Sequence, residues 1–195
     1  PKPKPKPRPK PRSKPNPKPK PNPPIAPKPA AQPVSPVADG VPIVGVGASA
    51  GGLEALEDLF RNMPPNSGLA FVVVQHMDPH HKGMLVELLQ RSTSLTVLQA
   101  TDRLRVEADR IYVIPPDRDL SILRGVLHLF PPAAPRGYRM PIDFFLRSLA
   151  TDRRDRSIGV ILSGMGSDGT LGLAAIKEQA GACFVQEPAS AKFDG

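Results

Sequence analysis

Residues 42–52 read Pro42-Ile43-Val44-Gly45-Val46-Gly47-Ala48-Ser49-Ala50-Gly51-Gly52, followed by Leu53-Glu54-Ala55-Leu56-Glu57-Asp58-Leu59-Phe60. The first half is a short β-branched run and predicts a strand over 42–47. In the second half Leu53, Leu56, Leu59 and Phe60 recur at i, i+3, i+6 and i+7, one apolar stripe of a helix over 51–62. A strand passing through small residues straight into a helix opens a βαβ unit, and such units build parallel sheets. The same texture continues outward. Strands are expected at 69–75, 96–100, 110–114, 158–163 and 183–186, and helices at 82–91, 141–150 and 170–180. Between Asp119 and Phe130 the chain reads as a hairpin turning at Arg124-Gly125. The expected fold is α/β: a doubly wound, mainly parallel sheet with helices on both faces and a β-hairpin insertion.

The opening turn admits two chemistries. Gly45-x-Gly47-x-x-Ala50 fits the dinucleotide fingerprint, and Gly47-x-Ser49-x-Gly51 fits a nucleophile elbow, in which glycines let a serine stand on a sharp strand-to-helix turn. The dinucleotide pattern wants an acid about 20 residues on, at the end of the second strand. Here that strand ends Val74-Gln75-His76-Met77-Asp78, with Asp78 31 residues beyond Gly47. A histidine stands there instead, the general base a serine nucleophile needs. A second glycine-rich turn, Ser163-Gly-Met-Gly-Ser-Asp168-Gly-Thr170, follows the 158–163 strand. Asp168, about two residues before helix 170–180, fits either a helix cap or the carboxylate of a triad. Ser49, His76 and Asp168 all fall at the carboxyl ends of expected parallel strands, the edge where open α/β sheets bind ligands. Their order, Ser…His…Asp, differs from the Ser…Asp…His order of the α/β-hydrolases. His80 and His81 invite a metal site with His76, but Pro79 interrupts any helix that would align them, and no H-E-x-x-H spacing exists. No metal, cofactor or phosphate loop is expected.

Composition separates the ends of the chain. Of 195 residues, 26 are Lys or Arg and 18 Asp or Glu, for a formal net charge of +8. Residues 1–40 hold ten of the basic side chains and one acid, Asp39; the other 155 are nearly neutral. Residues 1–24 contain no aliphatic or aromatic side chain. Such a segment has nothing to bury against an ordering cost of about 1–2 kcal/mol per residue. Alternating Pro and Lys favours an extended polyproline II rod, so residues 1–40 are expected to be a disordered tail or linker and 41–195 the folded domain. Without interleaved aromatics the tail is not a specific nucleic-acid reader. No run of 18 apolar residues suggests a membrane span, and no apolar stretch follows the basic start as in a secretory signal. A single cysteine, Cys183, excludes an internal disulfide and fits a cytoplasmic setting.

With these residues in view, 42–195 resembles the catalytic domain of CheB-type protein-glutamate methylesterases. The resemblance runs through GASAGG (47–52), VVQHM (73–77), YVIPPDRDL (112–120), PIDFFLRSLA (141–150) and SGMGSDG (163–169). Its wording is most similar to forms fused to a CheR-type methyltransferase and PAS modules. The resemblance implies Ser49 as nucleophile, His76 as general base, Asp168 as its orienting carboxylate, and oxyanion donors among the backbone N–H groups near Ala50 and Met165. It also implies demethylation of glutamate methyl esters, and deamidation of glutamine, on the cytoplasmic helices of bacterial chemoreceptors. The alternatives are a Rossmann-type dinucleotide module and a catalytically silent receptor-binding adaptor. The chain departs from the family in three places. Ala50 stands where a threonine is common. A Pro-Lys tail occupies the place of a receiver domain, which speaks against phosphorylation control. The chain also lacks an initial Met and stops at Gly195, where the family continues into a further strand and helix, so a fragment truncated at its C-terminal end is expected.

Overall fold

The computed structural model describes residues 40–76, 84–135 and 137–193. The tail expected at 1–40, apart from Gly40, and Asp78, His80 and His81 lie outside them. Six strands, β1 (Ile43–Ala48), β2 (Ala70–Gln75), β3 (Thr96–Gln99), β5 (Arg110–Val113), β8 (Ser157–Ile161) and β9 (Ala182–Val185), form one sheet in the order β3-β5-β2-β1-β8-β9, with every pairing parallel. A second, antiparallel sheet, β4-β7-β6, contains β4 (Leu104–Arg105), β6 (Asp119–Leu123) and β7 (Val126–Phe130). Among the described residues the α-helices are α1 (Gly52–Arg61), α2 (Met84–Ser92), α3 (Pro141–Arg153) and α4 (Thr170–Glu178). The doubly wound architecture and the hairpin stand as expected. β4 was not anticipated, since two residues carry no period to read.

Alternation along each strand sorts the core into two layers. On one face Val44, Val46, Ala48, Phe71 and Val73 pack with Leu56 and Phe60 of α1 and Leu85 and Leu89 of α2. Phe60 and Phe71 meet edge to face at 5.3 Å, a pairing worth about 0.5–1.5 kcal/mol beyond its buried area. On the other face Ile43, Ala70, Val72 and Val74 pack with Ile142, Phe145, Leu146 and Leu149 of α3, Ile176 of α4, and Leu120, Ile122 and Leu127 of the hairpin.

Gly45 and Gly47 also point to the α3 face. A Cβ on Gly45 would lie 2.5 Å from the Leu146 side chain, and one on Gly47 2.5 Å from that of Ile142. They are glycines because α3 lies directly on β1. Gly45 is mid-strand, whereas the first glycine of a dinucleotide fingerprint forms the tight turn over the pyrophosphate, so the nucleotide reading of this stretch fails. The hairpin turns at Arg124 (φ 51°) and Gly125 (φ 70°), the doubly positive φ of a type I′ turn. Both of its N–H groups donate to the Asp152 carboxylate at the end of α3.

Candidate active site

The chain runs from β1 to β2 on one side of β1 and later returns as β8 on the other. That reversal makes the carboxyl end of β1 a topological switch point, where a crevice opens. Register then places the side chains. Ala48 is level with Gln75, and Gly47 with Ile161. One residue beyond the ladder, Ser49 and His76 face each other across strands about 4.8 Å apart, and the loop leaving β8 passes on the far side of Ser49.

The turn after β1 is closed locally. Gly51 takes φ 72°, a left-handed conformation open mainly to glycine, and the Gly52 N–H donates to the Ser49 carbonyl at 3.0 Å. A Cβ on Gly51 would also lie 2.9 Å from Lys192 Cβ and 3.0 Å from Ser163 Oγ. The Ser49 N–H donates to the Ser163 carbonyl at 3.0 Å, tying the elbow to the β8 loop. Ser163 is buried; its hydroxyl donates to the Ala50 carbonyl (3.0 Å) and accepts from the Phe193 N–H (3.0 Å), and its own N–H donates to Gln186 Oε1 (2.8 Å).

The three expected residues come together. Ser49 Oγ lies 3.3 Å from His76 Nδ1, and His76 Nε2 lies 2.8 Å from Asp168 Oδ2. A carboxylate only accepts, so the proton of a neutral His76 sits on Nε2 and leaves Nδ1 as the lone-pair nitrogen facing the serine. The ring is edge-reversed relative to the usual triad, in which Nε2 faces the serine. His76 is 36% exposed and Asp168 7%, so the imidazole opens to the cleft while the carboxylate it bonds is nearly covered.

Asp168 does not cap the helix it precedes. The N-cap of α4 is Gly169 (φ 111°), without a side-chain bond. Asp168 caps α3 instead: the Ile142 N–H donates to Oδ2 at 3.1 Å and the Asp143 N–H to Oδ1 at 2.8 Å. Capping and the contact to His76, posed as alternatives from sequence, coexist in one carboxylate. Asp143, buried, returns the favour by accepting the N–H groups of Gly169 (3.0 Å) and Gly172 (2.7 Å) on Oδ1. Asp143 and Ser163 were missed. An acid in a first turn after Pro141 at the helix start is a readable signal, but it points to its own helix and says nothing of a second.

Gly164 lets the β8 loop touch the elbow: a Cβ there would lie 3.0 Å from Ser49 Cβ. Beside Ser49, bounded by Gly164 and Met165, is a recess of about 20 Å³, room for one water-sized group. It adjoins a cleft of about 650 Å³ whose lining includes His76, Asp117, Arg118, Arg139, Met165 and Asp168. Arg139 is fixed in its wall, with Nε donating to the Ala134 carbonyl (2.7 Å) and its guanidinium to Asp117 (3.2 Å). Burial raises the Tyr112 phenol and the Cys183 thiol above their ordinary values; neither lines the cleft or the recess.

Comparison with known proteins agrees with this geometry. The sequence pattern described as "CheB methylesterase" matches residues 44–195. A protein-glutamate methylesterase/protein-glutamine glutaminase of Photorhabdus laumondii subsp. laumondii is 33% identical over 160 residues, 80% of this chain and 45% of that protein. A putative protein-glutamate methylesterase/protein-glutamine glutaminase of Leptospira interrogans is 30% identical over 149 residues, 76% of this chain and 77% of that protein. The chain thus spans about half the length of the first relative and most of the second. The crystal structure of the Thermotoga maritima CheB methylesterase catalytic domain superposes with a TM-score of 0.73 at 31% identity, covering 80% of this chain and 85% of that one. Matched in sequence from β1 onward and in fold, this chain belongs to the CheB methylesterase family.

Proposed function

We propose that this protein is a serine hydrolase that cleaves glutamate methyl esters on bacterial chemoreceptors, with Ser49, His76 and Asp168 as its triad. The observation that carries the reading is the continuous line from Ser49 Oγ through His76 to Asp168 at the open end of the sheet. Ser49 Oγ attacks the ester carbonyl carbon while His76 Nδ1 takes its proton. The tetrahedral oxyanion sits toward the backbone N–H groups near Ala50 and Met165; each such donor is worth about 2.7–4 kcal/mol to the transition state. Nδ1 then protonates the departing methoxide, and methanol leaves an acyl-enzyme on Ser49. A water, deprotonated by the same nitrogen, attacks the acyl carbon, and the glutamate carboxylate and Ser49 are restored. Asp168 holds the imidazole in place and stabilises the imidazolium throughout. A glutamine side chain in the same position would lose ammonia by the same route, as the names of the relatives include.

A fluorophosphonate that labels activated serines tests this directly. Wild-type protein should be modified at Ser49, and methylated receptor peptide should release methanol; Ser49→Ala should do neither. An inert wild-type serine would instead favour a silent receptor-binding adaptor. Residues 41–195 are on this reading the catalytic domain, acting in the cytoplasm, where receptor helices and CheR-type methyltransferase or PAS modules would be its partners. Residues 1–40 serve as a linker. Deleting residues 1–40 should leave turnover within a few-fold; a hundredfold loss would mean that the tail docks on domain or substrate.

A further inference from the structure

We infer that Asp143 is a positioning residue of the active site: it holds Asp168 against His76 by crossing its carboxylate into the N-terminus of the opposite helix. This rests on the triad proposed above. Each aspartate caps the helix to which the other is adjoined. Asp168, two residues before α4, takes the N–H groups of Ile142 and Asp143 in α3. Asp143, in the first turn of α3, takes those of Gly169 and Gly172 at the start of α4. The first amides of a helix have no intrahelical partner and favour a negative charge, so each carboxylate meets two unclaimed donors and a partial positive charge.

The consequence for chemistry lies in the Asp168–Gly169 peptide. Its N–H is held by Asp143, with the nitrogen two bonds from the Asp168 Cα, so Asp143 fixes the backbone from which the carboxylate reaches His76 Nε2. The two helices are pressed together at this point: a Cβ on Gly172 would lie 2.6 Å from Leu146 Cβ and 3.3 Å from Asp143 Cα. Asp143 itself lines neither the recess beside Ser49 nor the cleft, and the lining residue it bonds is Asp168, so its influence on the reaction runs through that contact.

Both amides converge on one atom, Asp143 Oδ1, which sets the test. Asp143→Asn keeps an acceptor oxygen there, and Asp143→Ala removes it. The readouts are kcat and KM on methylated receptor peptide, fluorophosphonate labelling of Ser49, and the far-downfield proton resonance of an imidazole N–H bonded to a carboxylate. For Asp143→Ala the expectation is a kcat lower by about tenfold or more, KM within about twofold, slower labelling, and a lost or broadened resonance. Asp143→Asn should restore kcat to within about threefold of wild type. Asp152→Ala, which uncaps the distant hairpin turn, supplies the stability control: a lower melting temperature with kcat and resonance retained. If Asp143→Ala does not fold, Asp143→Ser replaces it; its shorter hydroxyl can serve at most one of the two amides, and kcat should fall to an intermediate value. Wild-type kcat and resonance in the folded fraction of the alanine or serine variant would overturn the inference, as would an asparagine variant as impaired as alanine. Wild-type protein that fails to label at all would instead bring down the triad reading, and this inference with it.

Discussion

Two glycine-rich turns, Gly47–Gly52 and Ser163–Gly169, look alike in sequence: each follows an apolar strand, carries serine among glycines and opens a helix. They are held by different means. The first has its own closure, by the left-handed Gly51 and the Gly52 N–H returning to the Ser49 carbonyl, to which Ser163 adds bonds at the Ser49 N–H and the Ala50 carbonyl. The second is held from outside, by Asp143 on a helix that starts 22 residues before it and by the Phe193 backbone on Ser163 and Gly164. On the proposed function the first turn presents the nucleophile, which needs the sharp, rigid geometry a local turn supplies. The second would carry the orienting carboxylate, which must match a histidine from elsewhere in the chain, and a tertiary clamp can do that.

Asp168→Asn bears most heavily on the clamped turn. One amide oxygen replaces two carboxylate oxygens that serve Ile142, Asp143 and His76, so kinetics and melting should both respond. We expect turnover to fall at least about a hundredfold, toward the 10⁴ seen in known triads, with a stability loss of about 0.5–2 kcal/mol, as for a lost cap. A variant with lowered melting temperature but normal turnover would reduce Asp168 to a cap. Gly51→Ala probes the closed turn. At φ 72°, with Lys192 Cβ and Ser163 Oγ within 3.0 Å of the new methyl, it should destabilise by about 1–3 kcal/mol and lower turnover about tenfold. Unchanged activity would show that the elbow does not depend on its glycine. The smallest effect is expected where the turns touch. A methyl on Gly164 asks its neighbours to yield a few tenths of an ångström at Ser49 Cβ; turnover should drop a few-fold with little change in melting, and a loss as large as that of Asp168→Asn would place a key backbone contact at Gly164 itself.

The same contrast explains what was legible. Strands Ile43–Ala48 and Ala70–Gln75, helix Gly52–Arg61 and the Arg124-Gly125 hairpin could be read because each is announced by residues within its own span. Ser49 and His76 followed, since parallel strands in order bring their ends together. Gly45 left a second reading open: its reason lies in Leu146, about a hundred residues away, and a fingerprint match could not reveal a helix lying on a strand. Asp168 was recognised as a candidate, but a cap is ordinarily assigned to the nearest helix, and here the nearest helix is the wrong one. Asp143 and Ser163 were invisible because their partners are fixed only by tertiary docking.

That docking also predicts an order of events. Ser49 and His76 are 27 residues apart and belong to one strand–helix–strand unit, whereas His76 and Asp168 are 92 apart. Closing the longer loop costs more chain entropy, and its carboxylate gains its place only when α3 and α4 meet. The site would then assemble in two stages during refolding, with sheet formation preceding recovery of ester cleavage, and the lag between a circular-dichroism signal and methanol release would clock the meeting of two helices.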